Sequence, residues 1–191
     1  METKNILMVG VGGQGTILAS KLMTLALLDE GYDVKMSEIH GMSQRGGSVS
    51  SQIRYGKEVH SPVVELGGAD IIVSFELVEA IRSLEYLKPD GLMIVNDYKI
   101  LPLSVISGNA EYPQDTLGML SSKVNTLSLD AFSIAVELGN PKVMNIVLLG
   151  AVARKLGIND IDWNRIIEQN VKPKFIDINK EAFKRGYESM K

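Results

Sequence analysis

The 191-residue sequence contains no cysteine. It therefore has no disulfide, no thiol nucleophile, no cysteine-ligated zinc and no iron–sulfur cluster held by cysteines of its own. Histidine is almost as scarce, because only His40 and His60 occur, and a histidine-rich metal site is excluded as well. The residue types that most often carry metal and thiol chemistry are thus missing or nearly so.

Strong charge and long apolar runs are missing too. The formal net charge is −3, which gives no reason to expect binding to nucleic acid. No segment is long and apolar enough to span a bilayer, and the first residues do not follow the pattern of a signal peptide. We expect a cytoplasmic protein with neither a nucleic-acid nor a membrane partner.

The sequence instead alternates apolar strand patterns with helical ones. Its length and its 45% hydrophobic content suit one compact domain with a sizeable core. Strands separated by helices predict an α/β fold, Rossmann-like and doubly wound, around a mostly parallel sheet. Residues 1–140 are expected to form the α/β core of this single 1–191 domain, and residues 141–191 a C-terminal helical segment.

Three details of this fold are predicted from local patterns. Residues 48–55 and 58–62 flank a Gly-Lys pair, which indicates a β-hairpin inserted after the second strand. Residues 97–120 carry a weaker pattern, which indicates a peripheral strand, a loop and a short helix. The acidic residues between positions 58 and 90 are expected on a solvated face.

Two helical patterns are apolar over more of their circumference than a one-sided surface helix needs. The first covers residues 16–29 and is expected to be covered by its own sheet and by a second layer or subunit. The second covers residues 142–156, and either a central core helix or a permanent subunit interface explains it. The final helix, about 174–190, is charged and is expected to be mostly solvated.

A glycine turn (residues 10–15) lies between the first strand pattern and the first helix. Its residues are the candidates for binding a phosphate or another anion: Gly10, Gly12, Gly13, Gln14 and Gly15. This G-x-G-x-x-G spacing is typical of turns that hold a diphosphate against the N–H groups of a helix N-terminus. The alternative is that the glycines only make the turn compact.

Two neighbouring positions bear on which nucleotide this turn could hold. Thr16 and Ile17 stand where a Walker A loop needs lysine and serine or threonine, so the turn is not a P-loop. Glu38 follows Gly15 at a spacing that would let it bind the ribose of a dinucleotide. It could equally cap a loop.

An arginine loop (residues 40–47) follows the second strand pattern. Its candidate catalytic side chains are His40, Ser43, Gln44 and Arg45. A guanidinium can bind a carboxylate or phosphate through two parallel hydrogen bonds, and an imidazole can donate a hydrogen bond or carry a proton. The alternative is a turn in which Arg45 pairs with an acid such as Glu38.

The two loops are expected to lie near each other. Both follow strands, and the carboxyl ends of parallel strands meet at the edge of the sheet where ligands bind. The glycine turn and the arginine loop should therefore share one surface.

Together the two loops resemble those of a known family. Residues 9–15 (Val-Gly-Val-Gly-Gly-Gln-Gly) and residues 38–49 (Glu-Ile-His-Gly-Met-Ser-Gln-Arg-Gly-Gly-Ser-Val) look like the gamma subunit or domain of 2-oxoacid:ferredoxin oxidoreductases. The His-Gly-Met-Ser-Gln-Arg-Gly-Gly version is most similar to the beta subunit of indolepyruvate:ferredoxin oxidoreductases. Pyruvate and 2-oxoglutarate enzymes tend to carry a Tyr-Gly-Pro-Glu-x-Arg-Gly-Gly form. The resemblance covers essentially the whole chain.

The resemblance implies a Rossmann-like subunit of an enzyme complex. It implies an alpha-type partner subunit that holds thiamine diphosphate, magnesium and [4Fe-4S] clusters, CoA as co-substrate, and ferredoxin as electron acceptor. The complex decarboxylates a 2-oxo acid oxidatively to an acyl-CoA, and the isolated chain is expected to be inactive. Two alternatives stay open, a free-standing nucleotide-binding protein and a purely architectural subunit. A contact between two copies of the chain is also left open.

Overall fold

The computed structural model describes residues 2–41, 46–158 and 161–190, and it arranges six strands in one sheet in the order β2-β3-β1-β4-β5-β6. The strands are β1 (Lys4–Val11), β2 (Asp33–His40), β3 (Ser48–Gly56), β4 (Ala69–Ser74), β5 (Leu87–Asn96) and β6 (Asn125–Leu129). The helices are α1 (Thr16–Asp29), α2 (Leu77–Ser83), α3 (Leu103–Ile106), α4 (Thr116–Ser121), α5 (Ala131–Glu137), α6 (Met144–Leu156), α7 (Trp163–Asn170) and α8 (Ile176–Glu188).

The sheet is mostly parallel. Strands β1, β4, β5 and β6 pair in parallel, and β3 pairs antiparallel with both β1 and β2. Since β2 and β1 are both antiparallel to β3, they run in the same direction, and only β3 is reversed. The predicted doubly wound α/β fold is confirmed.

A hairpin is present at this place, but the prediction that residues 58–62 form its second arm is wrong. Strand β3 pairs with β2 in front of it, with His40 opposite Val49, and residues 58–62 form no strand. Backbone carbonyls of this segment accept hydrogen bonds from a side chain rather than from a neighbouring strand. The Arg54 guanidinium donates to the carbonyls of Ser61 and Val63, each at 3.1 Å. The segment is therefore a loop fixed to β3 rather than a second hairpin arm.

The peripheral strand predicted within residues 97–120 was also wrong. The chain leaves β5 at Asn96 and forms the short helices α3 and α4 before it enters β6. The short helix of the prediction is present as α4, where the Asp115 carboxylate accepts a hydrogen bond of 3.2 Å from the Gly118 N–H.

The sheet carries a hydrophobic core on each face. One core packs α1 and α5 to α8 against side chains such as Met8 and Val73. The other packs α2 and α4 against side chains such as Val9 and Ile72. Adjacent residues of one strand thus point into different cores, as the two-residue period of a strand requires.

The broadly apolar helices are covered within the chain. Helix α1 packs on β2 and β3 on one side and on α6 and α7 on the other. Ten consecutive α6 residues, from Met144 to Ala153, are buried. Of the two explanations for this helix, the central core helix is therefore correct, and its apolar surface is no evidence for a subunit interface. The division of the chain at residue 140 stays a prediction.

The last helix is more buried than its charge pattern predicts. Helix α8 packs on α6 through Gly186 and Gly150, where a Cβ would lie 1.8 Å from the Val147 carbonyl oxygen and 2.1 Å from the Phe183 carbonyl oxygen, respectively. This close approach buries Phe183, which stacks on Trp163 with 4.8 Å between ring centroids. The expectation of a mostly solvated helix was wrong because small residues, which carry no apolar signal, make the contact.

Within the described ranges, none of these helices combines the length and apolarity that crossing a bilayer requires.

Candidate functional site

The glycine turn connects the buried end of β1 to α1, and the side chain of Gln14 closes it. The Gln14 Oε1 accepts a hydrogen bond of 2.7 Å from the Val11 N–H, and its Nε2 donates one of 2.9 Å to the Phe75 carbonyl. A Cβ at Gly10 would lie 2.9 Å from both Gln14 Oε1 and Phe75 Cβ. Gly10 and Gln14 are thus accounted for by packing of the turn against the end of β4.

Gly15 is fixed by the C-terminal helices. It is the N-cap of α1 with φ of 79°, in the left-handed region. Its carbonyl accepts a hydrogen bond of 3.1 Å from Asn145 Nδ2 on α6, and a Cβ at Gly15 would lie 2.5 Å from that nitrogen. Both the backbone conformation and the close approach of α6 therefore require glycine here.

The amino end of α1 has no side-chain cap. A cavity of about 450 Å³ adjoins it, lined by Gly12, Gly13, Gly15, Thr16, Ile17, His40 and Val49. A second cavity of about 580 Å³ borders the same turn, and its lining includes Lys142 and the stacked rings of Tyr98 and Phe132, whose centroids lie 4.6 Å apart. Uncapped N–H groups of a helix favour an anion, so the turn can bind one in either cavity.

The arginine loop adjoins this turn. The Gly12 N–H donates a hydrogen bond of 2.8 Å to the Gly47 carbonyl, and the Gly41 N–H donates one of 3.1 Å to the Ser48 carbonyl. His40 is exposed at the end of β2 and lines the cavity beside the turn. The structure therefore brings His40 and both ends of the loop to the glycine turn. The candidates Ser43, Gln44 and Arg45 lie outside the described residues.

Glu38 does not occupy the ribose position of a dinucleotide site. Strand β3 lies between β1 and β2, so Glu38 is two strand spacings, about 10 Å, from the strand that leads into the glycine turn. In a dinucleotide fold these two strands are neighbours. Its Oε1 is buried and has no hydrogen-bond partner in the described chain. The inserted β3 thus removes the contact on which a dinucleotide site depends.

Two buried glutamates at the same edge of the sheet were missed by the sequence prediction. Glu76 is 1% exposed and Glu79 is 4% exposed, which corrects the expectation of a solvated acidic face. Glu76 directly follows β4, and its Oε2 accepts from the Val78 and Glu79 N–H groups at 2.6 and 3.1 Å. Glu76 is thus the N-cap of α2. The usual N-cap residues are serine, threonine, aspartate and asparagine, so the sequence contains no clear sign of this role.

The other oxygen of Glu76 holds the segment that follows β5. Glu76 Oε1 accepts a hydrogen bond of 2.5 Å from the Tyr112 hydroxyl and one of 3.2 Å from the Ile100 N–H. Burial, together with this hydrogen bond to Glu76, raises the pKa of the Tyr112 hydroxyl above its usual value. Tyr112 therefore stays protonated and acts as a hydrogen-bond donor to the carboxylate.

Glu79 lies one turn further along α2 and contacts the end of the arginine loop. Its Oε2 accepts a hydrogen bond of 2.6 Å from the Ser48 hydroxyl, and its Oε1 accepts one of 2.7 Å from Arg82 Nη1. A cavity of about 260 Å³ opens beside it, and its lining includes Gly46, Val11 and Leu101. In the described ranges no three acidic or histidine side chains come together as metal ligands would.

Comparison with known proteins identifies the family of the chain. The family model for pyruvate ferredoxin/flavodoxin oxidoreductase matches residues 5–189. The chain belongs to this family. A curated relative, the indolepyruvate oxidoreductase subunit IorB of Thermococcus kodakarensis, is 40% identical, with 100% of this chain and 98% of the relative covered. The function of the chain is that of an oxidoreductase subunit, which confirms the sequence-based prediction.

Solved structures agree on the fold. The pyruvate oxidoreductase subunit PORC of Thermotoga maritima matches with a TM-score of 0.73 and 25% identity, and the match covers 98% of this chain and 97% of that one. A 2-oxoglutarate:ferredoxin oxidoreductase from Magnetococcus marinus matches with a TM-score of 0.77 and 18% identity over 100% of this chain but only 31% of its own. There the same fold is one part of a longer chain.

Proposed function

We propose that this chain is the cluster-free small subunit of an indolepyruvate-type 2-oxoacid:ferredoxin oxidoreductase. The complex would oxidatively decarboxylate an aryl-pyruvate to its acyl-CoA and pass the electrons to ferredoxin. Thiamine diphosphate, magnesium and [4Fe-4S] clusters would be held by an alpha-type partner subunit, and CoA would be the co-substrate. The observation that carries the proposal is the junction of the arginine loop with the glycine turn, beside cavities that can accept an anion.

The substrate class rests on the sequence of the arginine loop. Three positions of the loop differ from the form that pyruvate and 2-oxoglutarate enzymes tend to carry. This chain has His40 in place of their tyrosine, Met42 in place of their proline and Ser43 in place of their glutamate. A curated relative named for indolepyruvate is 40% identical, whereas one named for pyruvate synthase is 29% identical. Both observations favour an aryl-pyruvate over pyruvate.

The chain's own contribution would be to bind and orient anionic groups. Arg45 would form paired hydrogen bonds with a carboxylate or phosphate at the partner's active site or along the path of CoA. Ser43 and Gln44 would orient neighbouring polar groups, and His40 would donate a hydrogen bond or carry a proton. The uncapped N–H groups of α1 and the glycine turn would stabilise a phosphate in the adjoining cavity.

Co-expression with a candidate thiamine-binding subunit tests the proposal. We expect the two chains to co-purify, the complex to contain iron and thiamine, and indolepyruvate to be oxidised with a higher kcat/KM than pyruvate. A complex that prefers pyruvate would refute the substrate class. A thiamine-binding subunit that oxidises indolepyruvate equally well without this chain would refute the proposal as a whole.

The alternative functions make different predictions. A free-standing nucleotide-binding protein would bind NAD(H), NADP(H) or FAD as the isolated chain, and calorimetry of the purified chain would detect that binding. The separation of Glu38 from the glycine turn by β3 argues against it. A purely architectural subunit would lose assembly but not catalysis when His40 or Arg45 is changed.

A further inference from the structure

We infer that Glu79 is a positioning residue for the arginine loop. It would fix the C-terminal end of the loop against α2 through the Ser48 hydroxyl, so that the reaction served by Arg45 depends on this contact. This inference rests on the proposed function, because it gives the position of Arg45 a consequence for the reaction.

The contact joins distant parts of the chain. Ser48 is the first residue of β3, directly after the loop, and Glu79 lies on α2, 31 positions away. Their hydrogen bond is 2.6 Å long, and the Glu79 side chain is only 5% exposed. A short hydrogen bond from a hydroxyl to a carboxylate is stronger than one between neutral groups. The acceptor end of this bond is buried, whereas Ser48 itself is exposed.

The second oxygen of Glu79 is also engaged. Arg82, one turn further along α2, donates to it at 2.7 Å, and the Arg82 side chain is itself 58% exposed. Because Arg82 has a fixed place on the same helix, it holds the carboxylate in one orientation. Glu79 Oε2 therefore points toward Ser48, and the Ser48 hydroxyl donates to an acceptor whose orientation is already fixed.

The remaining links at the base of the loop do not reach α2. The Gly12–Gly47 and Gly41–Ser48 hydrogen bonds join backbone to backbone on the β1 and β2 sides. They close the base of the loop within the sheet, where Ser48 is also paired with Val11. The Ser48–Glu79 contact ties that base to the helix after β4, across the end of β1. Among the described hydrogen bonds of Gly46, Gly47 and Ser48, this one reaches α2.

The test uses the assembled complex with its partner subunit and compares Ser48→Ala, Ser48→Thr and Glu79→Gln with the unchanged protein. Removing the hydroxyl should lower kcat/KM for oxo-acid oxidation by about tenfold, because a small displacement of a positioning group is costly to the reaction. The threonine variant keeps a hydroxyl and should restore most of the activity. The matched control is Ser189→Ala, which removes an exposed serine hydroxyl bonded to the Gly186 carbonyl at 2.7 Å on α8.

Three results decide the inference. A loss of kcat/KM in Ser48→Ala and Glu79→Gln, with unchanged assembly and recovery in Ser48→Thr, supports it. Full activity in Ser48→Ala while Arg45→Ala is impaired overturns the positioning role and leaves the proposed function standing. Full activity in Arg45→Ala overturns the role proposed for the arginine loop and the inference together, and leaves the proposed place of the chain in the complex standing.

A double-mutant cycle shows whether Ser48 acts on the reaction through Arg45 or independently of it. If Glu79 and Ser48 act through Arg45, then Ser48→Ala should change kcat/KM far less in an Arg45→Ala background than in the unchanged protein. Equal losses in both backgrounds would show that Ser48 acts without Arg45 and would overturn the inference.

Discussion

The glycine turn and the arginine loop touch through the Gly12–Gly47 hydrogen bond, yet the fold accounts for them differently. In the turn, Gly10, Gln14 and Gly15 are each explained by a contact inside the chain. In the loop, His40, Gly41 and Gly46 are exposed, and the described hydrogen bonds hold its two ends. A recognisable nucleotide-binding motif can therefore serve mainly to build the scaffold, while the described ends of the loop beside it are exposed.

The largest effect is expected on catalytic activity, when Arg45 of the arginine loop is replaced. Arg45→Ala should lower kcat/KM of the assembled complex by about 100-fold, because it removes the bidentate contact to a carboxylate or phosphate that we propose for this side chain. The melting temperature should not change. Arg45→Lys should recover only part of the activity, since an ammonium lacks the paired donors. Steady-state kinetics of the purified complex measure this, and equal rates for the alanine variant would show that the loop has no part in the reaction.

Gly15→Ala should show the opposite pattern, a loss of stability. The substitution places a Cβ against Asn145 Nδ2 and forces a left-handed φ on alanine, which together should cost about 2–3 kcal/mol. Denaturant unfolding of the isolated chain measures it. An Asn145→Ala background removes the contact and should recover part of the loss, while the strain in φ remains. No loss of stability would mean that packing does not explain this glycine.

Gln14→Ala tests the same explanation for the rest of the turn. It removes the hydrogen bonds to Val11 and Phe75 and leaves the buried Val11 N–H without this acceptor, at a cost of about 2 kcal/mol. The Phe75 carbonyl keeps its second donor, Asn96 Nδ2 at 3.2 Å. Gln14→Glu keeps an acceptor for Val11 but loses the donor to Phe75, so its loss should be intermediate. If both variants melt at the temperature of the unchanged chain, the side chain has another role in the turn.

The smallest effect is expected at Asp70, which lies near the start of β4, at the other end of the parallel strands from the two loops. Burial raises the pKa of its carboxyl, but hydrogen bonds from Lys88, the Asn5 N–H and Lys4 outweigh burial and leave the pKa below its usual value. Since the folded pKa is depressed, this carboxylate stabilises the protein above its unfolded pKa, and the contribution is lost as pH falls through the folded pKa.

Asp70→Asn should therefore cost about 1 kcal/mol at pH 7 and almost nothing at a pH below both pKa values. Unfolding curves across that range measure the difference. Activity of the complex should be unchanged, which makes this variant the reference for stability loss away from the loops. A cost that did not vary with pH would contradict the role given to the charge.

The order of strands and helices could be predicted from the sequence, because the two periodicities differ and glycines separate the elements. The pairing of β3 could not, since the Arg54 guanidinium satisfies the segment that looked like its partner. The burial of α8 was missed because Gly150 and Gly186 make the contact. These failures share one cause, which is that the decisive groups are distant in sequence and carry no local apolar pattern.

The site was predicted less completely than the fold. The meeting of the glycine turn and the arginine loop follows from strand ends in a parallel sheet. The roles of Glu76 and Glu79 were missed, because an acid is buried only when partners such as Tyr112 and Ser48 satisfy it, 36 and 31 positions away. The functions of His40, Ser43, Gln44 and Arg45 stay predictions.

Our central proposal is that the arginine loop of this chain takes part in a reaction whose cofactors are bound by a partner subunit. The most direct measurement is to add this chain to the thiamine-binding partner purified without it and to follow CoA-dependent indolepyruvate oxidation through electron-acceptor reduction. The account predicts that turnover rises to a plateau with the unchanged chain and stays near the baseline with the Arg45→Ala chain, although both bind the partner. Equal turnover with no chain added would contradict it.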